Sequence, residues 1–358
     1  MNAFNMANMN TQSNGVTKMP RAQTGLTLTE MMVAITVGLI VTSAVAGVFL
    51  QTSSSNKQND QIGYIQDNGR YALKVLSDDL EMSNFWAGLS ASNRNSINVD
   101  DTGFTQYTTL AVSDDAKYAI DQTDTGCFAN PATANWNYTF TDPLGYMNSV
   151  ADTSTAQAEY PCIPSVDANT AVLMVKRTKG LEQSSDYTDG RPYIRGNRTV
   201  AVLHRYVDGN VTDAPPTGYF DWEYIAHIYY IDGTTLKRMT LKEAQSPSDP
   251  ETENPAFVTE EVASGIEKFH VVFGLDSDSD GVADFYTSTP SQTQLTDQAL
   301  LAKVYVLARG SKEVVGYKND KSYQLGDLTV SAANDGYYRR VFSTMVIMKN
   351  SEAVLQMN

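Results

Sequence analysis

The stretch Met31–Leu50 contains no charge and no proline, and it constrains this chain more than any other feature. At about 1.5 Å per residue it forms a helix of ~30 Å, the thickness of a bilayer's hydrocarbon core. Glu30 stands at its head. An isolated carboxylate at membrane depth is costly and needs a partner or a task. The leader Met1–Gly25 holds Lys18 and Arg21 and no acid, so the charge bias keeps the leader on the cytoplasmic side and sends the remainder across. A secretory signal would be cut after its apolar run, behind small residues. Here the polar run Gln51-Thr52-Ser53-Ser54-Ser55 opens a further helical stretch instead. The informative alternative is cleavage before the apolar run, which leaves the helix on the mature chain.

Gly25-Leu26-Thr27-Leu28-Thr29-Glu30 resembles the class III signal of type IV prepilins. The resemblance implies that a prepilin peptidase cuts between Gly25 and Leu26 and methylates the new amine. Glu30 then becomes the fifth mature residue. Leu26 departs from the Phe more common after the cut. The physical reading agrees, because a carboxylate in hydrocarbon seeks a cation and a neighbouring subunit's terminal amine is one. Such pairing would set the axial stagger of one helix against the next. Gly38, Ser43, Ala44, Ala46 and Gly47 would let packed helices approach closely, although ordinary membrane-helix composition accounts for them equally well.

The chain has 358 residues, enough for this helix and one large domain or two modest ones. With 26 Lys and Arg against 41 Asp and Glu its net charge is −15, and loss of the leader makes it more acidic still. Bulk attraction to nucleic acid or anionic lipid is therefore disfavoured. The basic clusters Lys176-Arg177-Thr178-Lys179 and Arg191, Arg195, Arg198 read as solvated strand ends and loops. The two cysteines, Cys127 and Cys162, lie in polar, loop-rich sequence outside the membrane and read as a disulfide. Closing that loop would stabilise the fold by roughly 3–4 kcal/mol on a chain-entropy account.

The organisation is a leader (1–25), a transmembrane helix (26–50), an amphipathic continuation (51–84) and a strand-rich globular region (85–358). In the continuation Ile62, Ile65, Gly69, Ala72, Leu73, Leu76 and Leu80 recur at steps of three and four, while Asp60, Lys74, Asp78, Asp79 and Glu81 fall mostly off that line. Gly69 costs about 1 kcal/mol relative to Ala in a helix interior, a cost that a close helix–sheet approach would justify. Strands are expected at Ala171–Val175, Thr199–Val207, Lys268–Gly274, Leu301–Ala308 and Val341–Met348. Tyr224–Ile231 and Leu236–Leu241 around Asp232-Gly233 predict a hairpin. Gln245–Pro255 reads as a surface loop. A long N-terminal helix followed by antiparallel strands is an α+β arrangement, matching a pilin-like fold with the helix laid on an antiparallel sheet.

Gly265–Gly281 and Tyr338–Asn350 are similar to the PilW family of minor pilins. That resemblance implies a subunit near the pilus tip, priming polymerisation with other minor pilins and a tip adhesin. It implies inner-membrane residence with the body in the periplasm, an inner-membrane assembly platform, and later display at the cell surface. A type II secretion pseudopilin resembling GspJ, and a ligand-binding adhesin or DNA-uptake subunit, are the alternative readings. Twitching motility and competence are the processes such pili serve.

Asp276, Asp278, Asp280, Val282 and Asp284, with Gly281 permitting a sharp turn, have the spacing of a calcium loop. Thr287 stands where a full EF-hand would have its bidentate Glu, so a structural Ca²⁺ of modest affinity competes with a solvated acidic turn. The three histidines, His204, His227 and His270, fall in strand-like stretches and read as satisfied sheet residues. No nucleophile elbow, phosphate-binding loop, His-Glu-x-x-His or Cys-x-x-Cys pattern is present, so the reading is an assembly protein and not an enzyme.

Overall fold

The computed structural model describes residues 25–86, 97–98, 143–183, 187–188, 191–197, 201–205, 217–242 and 256–350. The chain divides into two units, residues 1–56 and 57–358.

In the first unit the described residues are Gly25 to Asn56, the beginning of helix α1 (Leu28–Met82). Every residue from Gly25 to Thr52 is exposed. Among the described residues α1 is the one helix long and apolar enough to cross a membrane. The three hydroxyl side chains within Met31–Leu50 are satisfied internally. Thr36, Thr42 and Ser43 donate to the carbonyls of Met32, Gly38 and Ile40, as an apolar surrounding demands.

Among the described residues the second unit contains the remainder of α1 and fourteen strands, which the following residue ranges define. The first sheet has the order β1-β5-β4-β6-β3-β2. It is built from β1 (Ile97–Asn98), β2 (Leu144–Val150), β3 (Thr170–Thr178), β4 (Pro192–Gly196), β5 (Ala201–Arg205) and β6 (Phe220–Asp232). β7 (Thr235–Lys242) pairs with the later part of β6, and β8 (Ala256–Ser264) pairs with β7. All pairs are antiparallel except β1 with β5. The second sheet has the order β10-β9-β11-β14, from β9 (Ile266–Leu275), β10 (Phe285–Thr287), β11 (Ala299–Arg309) and β14 (Arg339–Ile347). A small hairpin joins β12 (Tyr323–Leu325) to β13 (Leu328–Val330). A short helix α2 (Thr153–Glu159) follows β2, capped by Asp152, whose carboxylate accepts from the Thr155 N–H at 2.8 Å.

Two apolar cores explain the strand patterns. Ile65, Ala72, Leu73, Leu76 and Leu80 of α1 pack with Leu173, Val175, Tyr229 and Ile231 of the first sheet and with Phe269, Val271, Phe273, Val304 and Val306 of the second. On the opposite face of the first sheet, Val172, Met174, Tyr224, Ala226, Ile228 and Tyr230 pack with Trp86, Ala156, Tyr160 and Ile163. β3 is thus covered on both faces, which is why Ala171–Val175 is a continuous apolar run and does not alternate. Each fully buried Leu or Phe contributes roughly 1.5–3 kcal/mol relative to exposure.

The expected strands coincide with β3, β6, β7, β9 and β11, while the expected Val341–Met348 runs one residue past β14 and the expected Thr199–Val207 is described only over β5, its two ends lying outside the described residues. In the hairpin between β6 and β7 the two turn residues are Gly233 and Thr234, both at positive φ (60° and 58°), because Asp232 and Thr235 form the closing pair. A two-residue turn of this hand matches strand twist. The amphipathic part of α1 buries the expected line except Ile62, which is 42 % exposed. Asp79, assigned to the polar side, lies on the buried line. Part of the basic clusters is not solvated: Lys176 and Arg195 are fully buried and Arg177 is mostly so, while Lys179 is exposed. Arg198, Gln245–Pro255 and Cys127 lie outside the described residues, as does the side chain of His204.

Candidate assembly site and acidic loop

The head of α1 is closed by its own sequence. Glu30 Oε2 accepts from the Thr27 N–H at 2.9 Å and from the Thr27 hydroxyl at 2.8 Å. The Glu30 N–H donates in turn to Thr27 Oγ1 at 3.3 Å. Thr-x-x-Glu with reciprocal bonds is a capping box, which satisfies N–H groups that the first helical turn leaves open. Glu30 therefore has a local partner in the single chain, and the spacing Thr27-Leu28-Thr29-Glu30 is the sequence signal for it. Gly25 and Leu26 are exposed immediately before this turn.

Near the other end of α1, Asp79 is 4 % exposed. Its carboxylate accepts from Arg177 Nη2 at 2.9 Å and Arg177 Nε at 3.2 Å on β3. His227 Nδ1 lies 2.5 Å away, and the Tyr229 hydroxyl also donates to it; both residues are on β6. Burial by itself would raise the Asp79 pKa. The His227 imidazole, the Arg177 charge and the Tyr229 hydroxyl outweigh it and hold the carboxyl well below the usual carboxylate range. Burial first, then the Asp79 charge, pushes the Tyr229 hydroxyl well above its ordinary value. These contacts fix the end of α1 against two strands. Sequence reasoning missed Asp79 because its partners lie far along the chain. The available signal was its spacing, since it continues the line Ala72, Leu76.

His270 on β9 is the second satisfied histidine. Its Nε2 lies 2.7 Å from Asp327 Oδ1 in the turn of the β12–β13 hairpin, and its Nδ1 lies 3.3 Å from the Tyr146 hydroxyl. The Val271 N–H donates to that same hydroxyl at 2.9 Å.

The acidic residues expected to hold a cation form the tip of the β9–β10 hairpin, closed by the pair Leu275 and Phe285. Oxygens of Asp276, Asp278 and Asp284 lie within 4.8 Å of one another. Asp276 is 1 % exposed and accepts from the Ser279 N–H at 2.6 Å and the Gly281 N–H at 2.8 Å. Ser279 and Gly281 adopt φ of 63° and 85°, which wraps the backbone around that carboxylate. Asp284 Oδ2 accepts from the Ser277 hydroxyl at 2.6 Å and its N–H at 2.8 Å, and these bonds hold the Asp284 carboxyl below the usual range. Asp280 is not in the group; its Oδ1 accepts from the Val282 N–H at 2.8 Å. Three carboxylates in one loop could hold a hard divalent ion through oxygen.

Cys162 is disulfide-bonded and follows α2 in a turn.

A membrane-length helix with a capped carboxylate at its head, and a body of antiparallel sheets receiving a buried helix face, define a membrane-anchored, periplasm-facing protein of pilin-like α+β fold. Residues 228–350 match the family model for Type IV Pilus-assembly protein W (PilW), and residues 20–46 match that for the Prokaryotic N-terminal methylation motif. The last third of the chain is thus similar to the PilW family of type IV pilus assembly, and its N-terminal segment carries the prokaryotic methylation motif. Among solved structures it is similar to a type IV-like pilin from Thermus thermophilus at 13% identity, covering 51% of this chain and 79% of that one with a TM-score of 0.27. No curated protein matches it.

Proposed function

We propose that this chain primes polymerisation of a type IV pilus in a tip complex with other minor pilins and a tip adhesin. On this reading a prepilin peptidase cuts between Gly25 and Leu26 and methylates the Leu26 amine. The body crosses to the periplasm and reaches the cell surface with the pilus tip. The observation that carries the proposal is Glu30, an acid at the head of the fully exposed apolar stretch of α1, Met31–Leu50. In the single chain its carboxylate is held by Thr27. A terminal amine in a neighbouring helix supplies a full positive charge, and in a low-dielectric bundle a paired charge is strongly preferred to an unpaired one. Assembly then exchanges one partner for the other. The acidic hairpin tip holds Ca²⁺ through Asp276, Asp278 and Asp284, with the Val282 carbonyl as a further oxygen, and serves a structural role. Cys127 and Cys162 form a disulfide that staples the segment between them.

The test is Glu30→Ala in cells that assemble pili. Processing and membrane insertion should persist while piliation falls sharply. Normal piliation with the variant would sink the docking role of Glu30.

A further inference from the structure

Among the described residues the second sheet ends on an open strand. β14 is terminal in the order β10-β9-β11-β14, and it pairs with β11 over its whole length without a register shift. The Met348 N–H donates to the Leu300 carbonyl at the β11 side. In an antiparallel ladder the direction of the backbone groups alternates, so even-numbered residues of β14 face β11. The N–H and C=O groups of Val341, Ser343, Met345 and Ile347 then point away from the sheet. Residues 341–347 contain no proline, no bulge and no charge, the devices that normally guard an edge. Met345 and Ile347 are 55 % and 59 % exposed.

The charges beside this edge have an unusual sign for so acidic a chain. Arg340 stacks over the Phe342 ring at 5.4 Å, and Lys303, the cross-strand partner of Met345, lies 5.4 Å from the Tyr305 ring. Neither forms an ion pair among the described residues. Their neighbours are already bound, Arg339 to Glu267 and Asp335, Lys349 to Glu81.

We propose that the β14 edge docks an extended segment of another protein in which apolar and acidic residues alternate. The segment adds to the sheet beside β14. Its backbone bonds to the outward groups of 341–347, its apolar side chains cover Met345 and Ile347, and its acids, on the opposite face, answer Arg340, which shares that face with Phe342. Strand addition gives affinity through the main chain and selectivity through alternate side chains. This inference stands on the edge alone and does not depend on the role of Glu30.

The experiment uses the full chain in detergent and a fluorescent nine-residue peptide alternating Val and Glu, read by anisotropy. The peptide should bind, and a Val/Lys counterpart should bind at least tenfold more weakly. Ser343→Pro removes one outward N–H while sparing the β11 ladder, and should weaken binding at least tenfold; Ser343→Ala, which keeps the N–H, should change it less than twofold. A Val/Glu peptide methylated on alternate amides should lose binding to the unaltered protein, a test independent of how Ser343→Pro folds. The proposal is overturned if the Val/Glu peptide does not bind, if the Lys peptide binds equally, or if folded Ser343→Pro and the methylated peptide behave like their parents. It is also overturned if sedimentation reveals a dimer that Ser343→Pro abolishes, which assigns the edge to a second copy. The same holds if a chain ending at Asn350 binds the peptide and the full chain does not, which assigns it to the chain's own tail.

Discussion

Phe342 of β14 lies directly against the backbone of α1 at Gly69, so that a methyl group at Gly69 would sit 2.4 Å from the ring. The glycine that looks unfavourable in the helix is the residue that lets helix and sheet meet. Gly69→Ala gains about 1 kcal/mol of helix propensity but forces the ring out of its seat, and overpacking of this kind costs about 1–3 kcal/mol. Net destabilisation is expected in chemical unfolding. Adding Phe342→Leu should relieve the clash and recover much of the loss. A Gly69→Ala variant more stable than the parent would show that the ring yields freely.

The buried carboxylate of Asp79 predicts an acid limb. Its folded pKa is depressed, so its contribution to stability is present above the unfolded value near ~3.9 and is lost as pH falls through the lower folded value. Asp79→Asn leaves Arg177 and His227 without their anion and should cost about 3–5 kcal/mol. Stability measured from pH 7 down to pH 2 should fall less steeply below about pH 4 in Asp79→Asn than in the parent.

Arg195 and Asp221 are cross-strand partners on β4 and β6, both with 0% side-chain exposure, joined by bonds of 2.8 and 2.7 Å. Removing either one takes away the buried charge that the other is paired with, at about 3–5 kcal/mol. Replacing both, Arg195→Met with Asp221→Leu, should cost less than either single change. A double-mutant cycle in urea measures the coupling; additive costs would show that the pair is not the unit.

At the hairpin tip, Ca²⁺ should raise the melting temperature of the full chain in detergent and a chelator should reverse the rise. A ligand at 100 times its Kd stabilises by about 2.7 kcal/mol. Asp276→Asn should abolish the response, since Asp276 is the buried member of the group. An unchanged melting curve with Ca²⁺ removes the site.

Thr27→Ala separates the two bonds Glu30 can make. It removes the hydroxyl side of the capping box, at about 0.5–2 kcal/mol of helix stability, yet leaves the carboxylate for a neighbour's amine. Pili should form with Thr27→Ala and not with Glu30→Ala when piliation is scored by electron microscopy. Equal loss in both would make Glu30 a capping residue only.

How much could be read beforehand depended on whether the signal was local. The apolar run 31–50 and the Gly25–Glu30 signal need no partner to be recognised. β9, β11 and β14 carry local apolar patterns, and β3 and β6 carry apolar runs. β8 does not announce itself, because Glu260 and Glu261 are poor strand residues until register sets them opposite Arg238 and Lys237. Asp79 and Arg195 were misplaced for a related reason. A single sequence assigns a charge to solvent, and only the fold supplies the opposite charge that lets it be buried. The Asp276–Asp284 loop was legible in spacing, but its order was not. Ser277, Ser279 and Gly281 each direct a backbone N–H at a carboxylate, and Asp280 turns aside to Val282.

The anchoring of α1 at Asp79 also bears on mechanical load. A pull along the helix axis in the body would meet Arg177 from one strand and His227 and Tyr229 from the next at a single carboxylate. Because those bonds converge on one carboxylate, they are strained together, not one after another. Grease alone would let a helix creep along a sheet by small steps of equal cost; a charge seated among three donors has one seat, and slipping by a turn leaves it with none.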